Sequence, residues 1–202
     1  MVNISKNLSN DYSVPVFKTL KKETEFETRF YEKNRYIVYK YKNVESKSDG
    51  KNESDDHMAK NVWRLIKYTQ GDNDRKENMK FCMPVLVQIE RIMKTSNNSQ
   101  DCIENEIKIM VSLPPEYQTD EFQPPKPNDS ELFIEVIEGF ECYVKSFSGY
   151  ANGNVYLAER ENLRDILKKI GIETDNSKFI CISYDPPYKA FNRRNEVIVL
   201  QA

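Results

Sequence analysis

One histidine, one tryptophan and six glycines are all that this 202-residue chain holds of three residue types on which much enzyme chemistry depends. With His57 alone, and no serine-histidine-aspartate or cysteine-histidine arrangement, hydrolytic triads have no basis. Six glycines leave no room for a Gly-rich phosphate loop. The four cysteines, Cys82, Cys102, Cys142 and Cys181, form no CxxC pair and lie in apolar strand-like runs. Such spacing does not suit zinc, and buried free thiols are expected rather than disulfides. No apolar run approaches the ~20 residues of a membrane helix, and Met1 to Lys22 has no apolar core of the secretory kind. A cytoplasmic protein is therefore expected. Thirty basic against 32 acidic residues give a net charge of −2, which exerts no pull toward nucleic acid or anionic membrane. Arg193-Arg194 is too short to change that. Carboxylates such as Asp55-Asp56 sit in a solvated stretch, so acid–base catalysis is not indicated. The expected role is not that of an enzyme.

What is present is organised by period. Residues 1–22 are polar and aperiodic and read as a flexible lead-in. Phe26 to Glu32 and Arg35 to Tyr41 are rich in aromatic and β-branched residues, as strands are. Met58, Val62, Leu65, Ile66 and Thr69 then share one helical face, with Asp55 or Asp56 as the expected cap and Gly71 as the stop. Met79 to Ile92 reads as extended, with Pro84 at an edge position or bulge. Residues 95–101 suit a hairpin loop, and Ile103 to Leu113 alternates as a strand. Prolines at 114–115 and 124–127 mark an internal boundary. Beyond it come strands at Leu132 to Val136 and Phe140 to Phe147, turned at Glu138-Gly139. A helix follows, with Leu163, Ile166, Leu167 and Ile170 on its inner face and Gly171 at its end. Strands over Lys178 to Tyr184 and Asn195 to Leu200 close the chain.

Strands, a helix and two strands thus occur twice. The expected fold is α+β: a distorted antiparallel β-barrel built from two pseudo-repeated halves, about 23–113 and 130–202, with one helix packed per half. Residues 23–202 would form a single domain.

Several segments resemble the SOUL/heme-binding protein family. Phe26-Glu27-Thr28-Arg29-Phe30-Tyr31 is similar to its opening strand, and Lys67-Tyr68-Thr69-Gln70-Gly71-Asp72-Asn73 to its helix end. Met79-Lys80-Phe81-Cys82-Met83-Pro84-Val85 resembles a further strand. Gln123-Pro124-Pro125-Lys126-Pro127 and Ser146 to Ala151 resemble its proline loop and glycine turn. Asp185-Pro186-Pro187 and Arg193-Arg194-Asn195-Glu196 complete the set, in family order over residues 24 to 201. The resemblance implies a cytosolic, monomeric or weakly dimeric protein that binds heme or another porphyrin non-covalently, with no nucleic-acid partner and no membrane insertion.

Two modes of binding follow from the resemblance. In the SOUL branch a histidine stands directly before the tyrosine of the first strand, and that position here is Phe30, which cannot ligate iron. In the heme-binding protein 1 branch, which this chain matches better, cations meet the propionates and no axial residue is needed. The matching cations are Lys67 and Lys189. A third family cation aligns with Ala59, beside Lys60, and the family's tail tryptophan is Ile198.

The residues agree with the second mode on physical grounds. A tetrapyrrole is a flat apolar disc with two carboxylates at one edge. An apolar groove rimmed by lysines meets both demands. Val62, Trp63 and Ile66 offer the apolar wall, or else belong to the core; Lys67, Lys189 and Lys60 offer the rim. His57 carries an imidazole of the kind that binds heme iron, although its charged surroundings suit a surface residue. A different class of function is a protein–protein adaptor. It would offer the amphipathic stretch Glu161 to Ile170 to a partner of the apoptosis-regulator kind, and that would need its apolar face released.

Overall fold

Runs such as Tyr36-Ile37-Val38-Tyr39 show no alternation of polar and apolar residues, and a strand of that kind must be covered on both faces. The computed structural model, which describes residues 15–44, 53–94, 102–186, 188–189 and 191–202, shows what covers them. Nine strands and two α-helices occur among these residues: β1 Phe17–Lys22, β2 Glu27–Tyr31, β3 Asn34–Val44, α1 Glu53–Thr69, β4 Val85–Lys94, β5 Cys102–Ser112, β6 Leu132–Ile137, β7 Phe140–Ser148, α2 Gly153–Lys169, β8 Thr174–Ser183 and β9 Arg194–Gln201. A short 3₁₀ turn, Pro115–Tyr117, lies between β5 and β6.

Side chains from alternate positions divide among three clusters, as a period of two requires. Tyr36 and Val38 join Leu86, Met110, Ile180, Ile182 and Ile198 in one cluster inside the sheet. Ile37 and Tyr39, on the other face, meet Leu65 and Tyr68 of α1. Val197 and Val199 of β9 likewise face outward, against Leu163 and Leu167 of α2. Each fully buried leucine or isoleucine in these layers contributes about 1.5–3 kcal/mol relative to exposure.

The pairings run in the order β1-β2-β7-β9-β8-β4-β5-β3-β6, all antiparallel. β2 pairs with β7 and β3 with β6 in one unbroken register, in which partner numbers add to 171 (27 with 144, 39 with 132). Two long ribbons, 27–44 and 132–148, therefore cross the molecule side by side. The far end of each joins the ladder β5-β4-β8-β9, which returns to its start as a distorted barrel, and β1 lies beside β2 at the edge. Gly139 lies at the crossing, where a Cβ would stand 2.7 Å from the Phe30 ring and 3.1 Å from the Tyr31 carbonyl oxygen. The expected turn at Glu138-Gly139 exists, but it carries the chain from β6 to β7 across the crossing and does not pair them.

The two halves repeat one plan: β2-β3-α1-β4-β5 and β6-β7-α2-β8-β9. Both helices have 17 residues, and both end alike. Gly71 (φ +95°) and Gly171 (φ +81°) take the left-handed conformation that side chains resist. Around them Asp72 N–H donates to the Lys67 carbonyl and Ile172 N–H to the Leu167 carbonyl, each at 3.0 Å.

Several expectations need correction. The lead-in over residues 1–22 ends early, because Phe17–Lys22 forms β1 against β2 and the Phe17 ring packs at a tilt against Tyr31; residues 1–14 lie outside the described residues. α1 starts at Glu53, so Asp55 and Asp56 fall in its first turn rather than before it. Residues 79–84 form no strand, and Pro84 sits just before β4, a central strand between β5 and β8, not at an edge or bulge. Ile170 lies past the last turn of α2 and is exposed. The hairpin loop expected at 95–101 lies outside the described residues. Cys82, Cys142 and Cys181 are buried free thiols; the Cys102 side chain is outside the described residues.

Candidate functional site

The outward stripe of α1 follows from its seating. Leu65 and Tyr68 are buried under the helix, and Val62 and Met58 pack beside them on the same cluster. Tyr68 is fixed further by its hydroxyl, which donates to the Pro125 carbonyl at 2.8 Å. Asn73, itself buried, donates from its side-chain amide to the Tyr68 and Glu77 carbonyls and accepts from the Arg75 and Glu77 N–H groups. Asp74 N–H donates to the Lys126 carbonyl. The 67–73 and 123–127 segments are thus one interlocked structural unit, and its tyrosine and asparagine are committed to holding it together.

With those residues turned inward, a period of 3.6 leaves positions 60, 63 and 67 outward. Lys60 and Lys67 are exposed, and Trp63 between them is 58% exposed. Neither lysine is in a salt bridge among the described residues. Lys67 makes itself felt at a distance, since its charge helps depress the Asp129 pKa. There the Arg64 guanidinium is the main cause, and burial opposes it. Arg64 is fully engaged: it bonds Asp129 at 2.6 and 2.7 Å, reaches Glu131 at 2.5 Å and lies over the Tyr39 ring at 4.7 Å. Ile66 is half-buried at the flank of the stripe.

Lys189 is placed differently. Its ammonium donates to Asp185 Oδ1 at 2.5 Å, and its N–H donates to the Pro186 carbonyl. Burial opposes the Asp185 charge, and Lys189 together with the Arg194 N–H holds that carboxyl below its ordinary pKa all the same. Arg193 ties the loop by donating to the Pro186, Lys189 and Asp185 carbonyls. This loop leaves the barrel at the same end as the 79–84 segment from α1, because Ser183 pairs with Val85. The structure therefore gathers Lys60, Trp63 and Lys67 on one stripe, sets Val62 and Ile66 at its inner edge, and holds Lys189 on a neighbouring loop in an ion pair. The His57 side chain lies outside the described residues.

A second charged centre escaped the sequence reading. Arg29 is buried and donates to both Glu196 oxygens at 2.9 and 3.1 Å. Glu196, fully buried, also accepts from the Tyr184 hydroxyl, Ser146 and Arg194. Burial pushes against the Glu196 charge, yet Arg29 and then Arg194 hold its pKa below the ordinary glutamate value. The same surroundings, burial first and the Glu196 charge next, push the Tyr184 hydroxyl well up. The centre is closed and fully hydrogen-bonded, which suits structure rather than chemistry. Its one signal in sequence is a pair of charged residues in each of two strand runs, Glu27 and Arg29 in β2 and Arg194 and Glu196 in β9. The apolar face of α2 is also occupied, with Leu163 and Leu167 fully buried against the sheet.

Among solved structures, a hydrolase from Listeria innocua matches with a TM-score of 0.53 at 14% identity, over 88% of this chain and 92% of that one. The EcmrR C-terminal domain matches at 0.54 and 9%, over 88% and 98%. At such identities the likeness concerns the fold alone. Closer in sequence are heme-binding protein 1 of Xenopus laevis, 31% identical over 172 residues (85% of this chain, 81% of the relative), and that of Mus musculus, 29% over 148 (73% of each). Heme-binding protein 2 of Homo sapiens is 30% identical over 138 residues (68% and 63%). The profile of the SOUL heme-binding protein family matches residues 12–200, and the chain belongs to that family.

Proposed function

We propose that this protein binds heme or a related tetrapyrrole non-covalently against the outward stripe of α1, as a cytosolic buffer or carrier rather than an enzyme. The observation that carries this reading is the exposed indole of Trp63 between two lysines that form no salt bridge among the described residues. An indole left in water forgoes the large apolar area that it could bury. Here it stands in water, on the helix whose neighbouring turns bear cations. The fit to a tetrapyrrole is direct: the indole face and the Ile66 edge meet the disc, while Lys60 and Lys67 meet its carboxylates in charge-assisted contacts. Lys189 adds a further cation from its loop once Asp185 shares it. The relatives named heme-binding protein 1 and 2 support the same ligand class. The tetrapyrrole supplies the disc and, as heme, the iron; this chain supplies position and charge.

No axial ligand is needed in this reading. Phe30, in the place of the branch histidine, packs over Gly139 at the ribbon crossing. The protein would act as a monomer or weak dimer. The test is titration with hemin and with protoporphyrin IX, following the Soret band and Trp63 fluorescence. We expect strong quenching and affinities within about tenfold of each other. Heme bound more than tenfold tighter, ~1.4 kcal/mol, would show that a protein ligand holds the iron. His57→Ala would then identify it. Binding without quenching would move the site off α1.

A further inference from the structure

One edge of the sheet is open where its counterpart is filled. β6 begins the second half as β2 begins the first, and their last residues, Ile137 and Tyr31, both pack on the interior cluster. The outer edge of β2 carries β1, which sets Phe17 opposite Tyr31, and Glu32 N–H donates to the Val16 carbonyl. β6 pairs with β3 alone. Its free groups follow from the ladder. Arg35 turns its backbone toward β5, where its N–H donates to Gln118 Oε1 and its carbonyl accepts from Leu113 N–H. Its neighbours Asn34, Tyr36 and Val38 therefore face β6, opposite Ile137, Glu135 and Phe133. Ile134 and Val136 are left pointing their N–H and C=O groups away from β3, with no partner for them among the described residues.

Sheet edges are commonly guarded by lysines, prolines or bulges. β1 has two of these devices: Lys18, Lys21 and Lys22, and a register shift between Thr19 and Lys21. β6 has none of them, and its Phe133 and Val136 are 38% and 41% exposed. The charge differs too. Residues 127–144 carry five carboxylates and no lysine or arginine. Cations from elsewhere meet them thinly: Arg64 serves both Asp129 and Glu131, and the Lys33–Glu138 pair at 3.3 Å stands in water. A second copy is ill suited to this edge. Antiparallel self-pairing that sets Ile134 against Val136 brings Glu135 opposite its own image, and like charges so placed repel.

We propose that β6 docks an extended, lysine-bearing segment of another protein as a further antiparallel strand. Ile134 and Val136 supply the main-chain bonds, Phe133 and Ile137 the apolar contacts, and Glu131 and Glu138 meet lysines at its ends. The chemistry is that of β1 on β2, where Phe17 lies against the Tyr31 ring at 5.2 Å while Lys18 and Lys22 reach Glu32 and Glu27. It does not depend on the tetrapyrrole reading.

The test uses the intact protein and an end-blocked, fluorescein-labelled peptide of residues 16–22, followed by anisotropy and by amide hydrogen exchange in NMR. In the free protein the Ile134 and Val136 amides should exchange fast. Peptide binding should be saturable and one-to-one, and should slow those two amides while leaving the amides of β2 unchanged. Val136→Pro removes an outward N–H and spares the ladder to β3, so it should weaken binding at least tenfold with the melting midpoint kept. Replacing the three peptide lysines with glutamate should weaken binding as much. Methylating one alternate set of peptide nitrogens should abolish binding, and methylating the other set should not. Slow exchange at both amides in the free protein, no saturable binding, or equal affinity for the glutamate peptide would overturn the proposal. So would a dimer of the free protein that Val136→Pro dissolves, which would give the edge to a second copy. The peptide comparisons on the wild-type protein decide the matter if Val136→Pro fails to fold.

Discussion

α1 and α2 are the same length, occupy equivalent places in the two halves and end in the same glycine motif, yet they use their surfaces differently. α2 is seated by Leu163 and Leu167, with the Asn152 side chain accepting from the Val155 N–H at its start. α1 is seated by Leu65 and Tyr68 and leaves a tryptophan and two lysines in water. A duplicated scaffold has kept what packing requires in both copies. The outward residues, which packing does not restrain, differ between the copies, and the proposed ligand would use those of α1.

The sharpest way to break this contrast is to insert a charge under α2. Leu163→Glu buries an unpaired carboxylate, and a loss of more than about 4 kcal/mol, or outright unfolding, is expected. Trp63→Ala, its counterpart on α1, should leave the melting midpoint within a degree or two and weaken tetrapyrrole binding instead. A soluble Leu163→Glu protein with an unchanged midpoint would sink the assignment of that face to the core.

The next effect concerns the tie between the halves. Arg29 belongs to the first half and Glu196 to the second. Glu196→Gln leaves a buried guanidinium without its counter-charge and should cost about 3–5 kcal/mol in denaturant unfolding. The sign of the pH dependence follows. Because the folded-state pKa of Glu196 is depressed, its stabilisation is present at neutral pH. That stabilisation fades as pH drops below the ordinary glutamate value of about 4.3. The wild-type midpoint should fall over that window more steeply than that of Glu196→Gln.

Smaller effects belong to exposed groups. Lys60→Ala and Lys67→Ala should each weaken heme binding by about 0.5–2 kcal/mol with the fold intact, and added salt should narrow the gap to wild type. Lys189→Ala should do less, since Asp185 already holds that ammonium. Unchanged affinity in the Lys60/Lys67 double variant would remove the rim from the site. Asn152→Ala, finally, should lower stability by about 1 kcal/mol through loss of the α2 cap, without touching heme affinity.

Most of the architecture was legible because it is written in period and composition. The aromatic and β-branched runs of β3, β8 and β9 are strands covered on both faces, and the apolar positions of both helices recur at 3.6. Errors arose where a local signal has two meanings. Pro84 marks the start of a central strand as readily as an edge, and the spacing of Ile170 continued a helical pattern that Gly171 had already stopped. β1 was missed because its sequence is mostly polar: Phe17 alone is buried, and the rest is held by the ladder to β2.

At the candidate site, Lys67 and Lys60 rest on the resemblance and Trp63 on its place beside Val62 and Ile66; that the three share one outward stripe follows from period only once Leu65 and Tyr68 are seen to face the sheet. The Lys189–Asp185 pair could not be read from sequence, since it depends on how the proline loop turns. Arg29 and Glu196 stand 167 positions apart, beyond any local signal.

The crossing ribbons have a consequence for how the barrel is made. β2 completes the sheet of the second half, and β6 completes that of the first. Each half lends a strand and borrows one, the topology of a domain-swapped dimer fused into one polypeptide. Neither half owns a finished sheet, so cutting the 114–131 connection should give two fragments that are unfolded apart and restore the barrel by complementation when mixed. Folding must also wait for partners more than a hundred residues distant, which places this protein among those of high contact order and slow assembly.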